Sequence, residues 1–117
     1  MKHFNYFEFD SPDIQGSGQL MDSKLLEMID LVRDKFDKPI HINSGYRTEA
    51  HNAKVGGKSN SSHLKGLAID IACNNSRDRH ELLWCLQDVG FNRIGISKTF
   101  IHVDIDKDKD KNVIWTY

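Results

Sequence analysis

The sequence predicts an α+β domain in which a small, mostly antiparallel sheet carries helices packed on one side. Three observations lead there. Two long segments, "MDSKLLEMIDLVRDKF" and "SRDRHELLWCLQDVG", show helical signals. Five shorter segments read as strands: "PIHINS", "LAIDIA", "RIGIS", "TFIHVDI" and "VIWTY". Helices and strands follow one another without a regular βαβ alternation, which disfavours a parallel, doubly wound sheet.

Residues 1–20 read as irregular. Phe4, Tyr6, Phe7 and Phe9 are expected to pack on the domain, and "SPDIQGSG" is a loop. In the first helix Leu25, Met28, Ile29, Val32 and Phe36 fall at helical spacing, and Asp22 or Ser23 can cap its start. Pro39 forces an extended exit into "PIHINS". "SGYRTEAHNAKVGG" reads as a turn and a short helix, with Thr48 as N-cap and Gly56-Gly57 as the stop. A polar loop over 58–66 leads into "LAIDIA". The second long helix is expected to be capped by Ser76 and stopped by Gly90.

With 117 residues the chain suits one domain, 1–117, and can bury a core without disulfide support. A net charge of −1 exerts no general pull on nucleic acid or an anionic membrane, so neither is expected as a partner. Cys73 and Cys85 are too few for a thiolate zinc site and read as reduced, semi-buried thiols.

Strand alternation brings out a set of polar side chains. Along "LAIDIA", Leu67, Ile69 and Ile71 share one face; Ala68, Asp70 and Ala72 share the other. His63 lies outside the strand, and Gly66 lets the loop turn back so that His63 reaches the Asp70 face. From Thr99 to Asp106, Thr99, Ile101, Val103 and Ile105 form one face. Phe100, His102, Asp104 and Asp106 form the other. If the two strands are neighbours, Asp70 and His102 stand side by side. With His63 they supply two imidazoles and a carboxylate, the ligand count of a catalytic zinc site with a fourth position left for water. The same residues also read as surface histidines and a solvated aspartate, and the spacing is not HExxH. Patterning alone leaves both open. His3, His41, His51 and His80 read as surface residues.

Three motifs, "SGYRTEAHN", "SSHLKGLAIDI" and "GIS…FIHVDI", together resemble the zinc D-alanyl-D-alanine carboxypeptidase family of peptidoglycan peptidases. That fold is shared with the zinc-binding domain of hedgehog signalling proteins. The family pattern is an SGYR-type turn, then S-x-H-x-x-x-G-x-A-x-D, then a terminal H-x-D strand, and all three occur here in order over residues 44–104. The resemblance implies a hedgehog/DD-peptidase-like fold and one Zn2+ per chain, held by His63, Asp70 and His102. It also implies that Arg47 faces the substrate, where a planar fork of donors suits a peptide carboxylate or a developing oxyanion. Ser44, Tyr46 and Ser62 are expected to line or brace the site, with turn chemistry as the alternative.

The activity implied is zinc-dependent hydrolysis of peptidoglycan stem peptides or cross-links, as a carboxypeptidase or an endopeptidase, by a monomer. Such hydrolysis needs a base to move a proton. Several branches of the family place an acid three residues before the last histidine, where this chain has Thr99, which by alternation faces the core. Asp104 becomes the expected catalytic acid, with His51 or Glu49 in reserve. The alternative is a zinc-stabilised, non-catalytic binding module of the same fold. "DIDKDKDKN" lacks the glycine and final glutamate of an EF-hand loop and reads as a solvated, charged hairpin. The start "MKHFNYFEFD" has no apolar h-region. The expectation is a cytoplasmic protein until release, of the phage or prophage endolysin type, acting at the cell wall; a trimmed leader would make it periplasmic.

Overall fold

The computed structural model describes residues 1–117. The helices are α1 (Ser23–Phe36), α2 (Glu49–Lys54) and α3 (Ser76–Val89). The strands are β1 (Ile42–Ser44), β2 (Ala68–Ala72), β3 (Arg93–Ile96), β4 (Phe100–Asp104) and β5 (Val113–Thr116). The sheet has the order β1-β2-β4-β3-β5. Its β1–β2, β2–β4 and β3–β4 pairs are antiparallel, and β3–β5 is parallel. The parallel pair arises because the charged segment after β4 carries the chain past β3 to the sheet's outer edge.

Local signals set the helix ends. The Asp22 carboxylate accepts from the backbone amides of Lys24 and Leu25, satisfying two donors that α1 leaves unpaired. Thr48 caps α2 through His51 N. At α3 the cap is Asn75, whose side chain accepts from Asp78 N, one residue before the expected Ser76. Gly90 ends α3 with φ +118, a left-handed conformation that glycine adopts without a Cβ clash.

One face of the sheet is apolar and the other carries the site. Ile69, Ile71, Ile94, Ile101 and Val103 are fully buried beneath Leu25, Ile29 and Val32 of α1 and Leu82 and Leu86 of α3, in one continuous core. Each such side chain stabilises the fold by roughly 1.5–3 kcal/mol relative to leaving it exposed. Phe4 and Phe9 close the core from the N-terminal segment, edge to face with centroids 5.7 Å apart. Cys73 and Cys85 are buried free thiols. Thr99 departs from expectation. It precedes β4, is exposed, and lines a shallow depression with Ile71, Cys73 and Leu82 on the helical side. The alternation fails because the strand has not yet begun there. Thr99 still lies away from the polar face.

On that polar face the registers align a single row. Ser44 pairs with Asp70, Asp70 with His102, His102 with Gly95, and Gly95 with Trp115. Four of the five strands thus deliver a side chain to one line across the sheet, and β3 contributes Gly95, which has none.

Candidate metal centre

His63 reaches the row from a 3-10 turn, Ser62–Lys65, which ends at Gly66 with φ +70. A Cβ at Gly66 would collide with the backbone of Leu20 and Met21, so glycine is required both for the turn and for the close approach. His63 is 3% exposed. Its Nδ1 lies 2.8 Å from the Gly45 carbonyl oxygen, which only accepts, so Nδ1 carries the proton and Nε2 a lone pair. That Nε2 is buried and makes no hydrogen bond; it lies 3.3 Å from Asp70 Oδ2. A buried, unpaired acceptor is costly, which is a reason to expect a ligand there.

Asp70 and His102 complete the cluster. His102 Nδ1 lies 2.9 Å from Asp70 Oδ1, and its Nε2 lies 2.7 Å from Asp104 Oδ2. One donor atom from each of His63, Asp70 and His102 falls within 4.8 Å of the others. Burial works to raise the Asp70 carboxyl, but the hydrogen bond from His102 and the close approach of the His63 imidazole outweigh it and hold the group well below the ordinary carboxylate range. For His102 burial works to lower the imidazole, yet the bonds to Asp104 and Asp70 leave it raised. Two imidazoles and a carboxylate facing one point fit the donor set of a three-ligand zinc site.

The cluster forms the floor of a cleft of about 790 Å³. Arg47 lies across it, with Nη2 3.3 Å from Asp70 Oδ2, Nε donating to Ser44 Oγ at 3.0 Å and Nη1 to Asn52 Oδ1 at 3.2 Å. Asn52 is buried and donates to Lys58 O, and a Cβ on Gly57 would collide with its side-chain amide. Ser44 therefore braces Arg47. Ser62 lines the cleft, but its hydroxyl is committed, donating to Asp106 Oδ2 at 2.7 Å and accepting from Lys109 Nζ at 2.9 Å. Tyr46 was expected at the site; it packs instead against the hydrophobic core.

Asp104 takes a place other than that expected of a base. It is 1% exposed, and it meets His102 at Nε2, the ring nitrogen remote from Asp70. Its Oδ1 accepts from Arg93 Nε at 2.6 Å and from Asp106 N at 3.2 Å. Burial would raise its carboxyl, but His102 and Arg93 hold it low. Both oxygens are engaged behind the imidazole, a geometry that orients His102 and does not suit proton exchange with substrate. Glu49 is exposed and His51 half-buried, and neither lines the cleft.

Sequence reasoning missed several cleft residues. Arg93, Trp115 and Tyr117 form part of the wall, as do Lys58, Lys109 and Asp110. Asp106, expected in a solvated hairpin, is 2% exposed and bound by Ser62 and Lys65. The inward alternation of Phe100, His102, Asp104 and Asp106 was the available signal for it.

The Peptidase M15 family profile matches residues 2–104 of this chain. A zinc D-Ala-D-Ala carboxypeptidase of Streptomyces albus G is 46% identical over 39 residues, which cover 33% of this chain and 15% of that protein. This α+β fold with a His/Asp/His cluster at its polar face is the kind of site a metallopeptidase uses. The chain belongs to the Peptidase M15 family. The matched stretch is a small part of the streptomycete enzyme's length.

Proposed function

We propose that this domain is a zinc-dependent peptidase that hydrolyses peptidoglycan stem peptides or cross-links. The observation that carries the reading is the buried, unpartnered Nε2 of His63 facing Asp70 and His102 at the floor of an open cleft. His63, Asp70 and His102 would hold one zinc per chain. Bound zinc supplies Lewis acidity toward a water and toward the scissile carbonyl. The family membership and the name of the streptomycete relative support the choice of metal and of substrate class.

The chain's own residues have separable roles. Arg47, braced by Ser44 and Asn52, presents its fork beside the metal ligands, placed to hold a substrate carboxylate or an oxyanion. Lys58 and Lys109 add positive charge to the cleft wall, which suits an anionic peptide. Asp104 fixes His102 by accepting from Nε2 and so leaves Nδ1 for the metal. Among the carboxylates lining the cleft, Asp110 has neither a side-chain hydrogen bond nor an ion pair, and we assign it the proton exchange with substrate.

Two observations favour the non-catalytic reading. Thr99 stands where several family branches have an acid, and Asp104 is sealed behind His102. Digestion of muropeptides by the zinc-loaded protein, read by mass spectrometry, decides between them. Loss of a terminal residue would mark a carboxypeptidase, and split cross-links an endopeptidase. No product at all would favour a zinc-stabilised binding module. We place the activity at the bacterial cell wall, reached by release on lysis or by export, with the protein working as a monomer.

A further inference from the structure

We propose, on the zinc-binding reading above, that Arg93 is a positioning residue for the metal ligand His102, acting through Asp104 and screened by Trp115. The row next to the metal row sets this up: Arg93 on β3 and Asp104 on β4 enter the polar face side by side. Asp104 is almost fully buried, and its two oxygens face different partners. Its Oδ2 meets His102 Nε2, which leaves Nδ1, the nitrogen beside Asp70, for the metal. A carboxylate free to turn about its Cβ–Cγ bond would present no fixed oxygen to the imidazole.

Arg93 fixes the carboxylate's orientation. Its Nε donates to Asp104 Oδ1 at 2.6 Å, which leaves Oδ2 for the imidazole at 2.7 Å. The guanidinium cannot rotate freely, because Nη1 also donates to the backbone carbonyl of Asp110. A lysine supplies a point charge without this fork.

Trp115 covers the pair. Arg93 Cζ sits 5.1 Å from the centre of its ring, and the His102 ring centroid is 5.6 Å from that of Trp115. The indole lies over Gly95, where a Cβ would come within 2.5 Å of its Nε1. No other residue at position 95 lets the indole settle there. Shielding by the indole keeps the Arg93–Asp104 contact in a low dielectric, where it is strong.

The test is zinc affinity by chelator competition, with the visible spectrum of the Co2+-substituted protein as a second readout. Arg93→Met is expected to bind zinc about 10–100-fold more weakly and to shift the cobalt spectrum, as Asp104→Asn does. Because Arg93 acts through Asp104, the double variant should bind no more weakly than Asp104→Asn alone, within about twofold. Arg93→Lys should fall between wild type and Arg93→Met, and it carries the test if Arg93→Met does not fold. Wild-type affinity and spectrum in either variant would overturn the proposal, as would a double variant whose loss is the product of the two single losses. These readouts measure binding. A zinc-loaded protein that hydrolyses nothing would overturn the peptidase reading while the affinity losses still supported Arg93. A wild type that takes up no zinc would overturn both.

Discussion

The Nδ1–H of His63 donates to the carbonyl oxygen of Gly45 at 2.8 Å, and this bond decides which nitrogen faces the cleft. Gly45 belongs to the turn that also places Arg47, and a Cβ on Gly45 would collide with Phe9 at 2.8 Å. The turn, the N-terminal aromatic segment and the metal ligand are therefore fixed together. His63→Ala and His102→Ala should each lose most bound zinc by metal analysis. Chelation of the wild type should lower its melting temperature, since a ligand that binds only the folded state stabilises it. Full zinc occupancy in either variant would remove the residue from the ligand set.

Arg47→Ala should retain zinc and lose roughly 10²–10³ in turnover, the scale of losing one donor to a developing oxyanion. Arg47 contacts Asp70 at 3.3 Å, a long contact beside the bonds that Asp70 makes with His102. Removing it leaves the donor atoms in place. Muropeptide kinetics with parallel metal analysis checks this, and near-normal turnover would show that Arg47 does not hold substrate.

Asp104→Asn should act first on the metal. The amide can still accept from His102 Nε2 but carries no charge to pair with Arg93, so zinc affinity should fall about 10–100-fold. At saturating zinc much of the activity should return. A loss of turnover that persists at full occupancy would restore Asp104 to a proton-transfer role. Thr99→Val, exposed on the far side, should leave both unchanged.

The fold was largely legible because its signals are local and periodic. Leu25, Ile29 and Val32 mark the buried stripe of α1, and alternation in β2 and β4 separates Ile69, Ile71, Ile101 and Val103 from Asp70 and His102. Alternation together with the family motifs was also enough to bring His63, Asp70 and His102 together. What stayed hidden depends on the order of strands in space. That β5 lies parallel to β3, putting Trp115 in the metal row, follows from chain path and not from any local pattern. The facing of Asp104 was read correctly, but which edge of the imidazole it meets depends on a rotamer set by Arg93 across the sheet. Tyr46 went astray because an aromatic beside a functional arginine can fill either the site or the core.

The charged segment after β4 yields a prediction about stability. Asp106 is buried, accepts from Ser62 Oγ at 2.7 Å and from Lys65 Nζ at 3.1 Å, and ties the turn carrying His63 to the end of β4. Burial works to raise its carboxyl, but the bond from Ser62 and further donors, Lys65 among them, hold it below the ordinary value of 3.8. A carboxyl with a depressed folded pKa contributes stability that is fully present above its unfolded pKa. The contribution is lost as pH falls through the folded value. Asp106→Asn should therefore destabilise the metal-free protein by about 1.5–3 kcal/mol at neutral pH, the scale of hydrogen bonds to a charged group. The gap between wild type and variant should hold down to about pH 4 and close below it. Urea melts of chelator-treated protein across this range check the claim. A gap that is absent at neutral pH, or that widens in acid, would show that Asp106 is the solvated side chain its surroundings in the sequence imply.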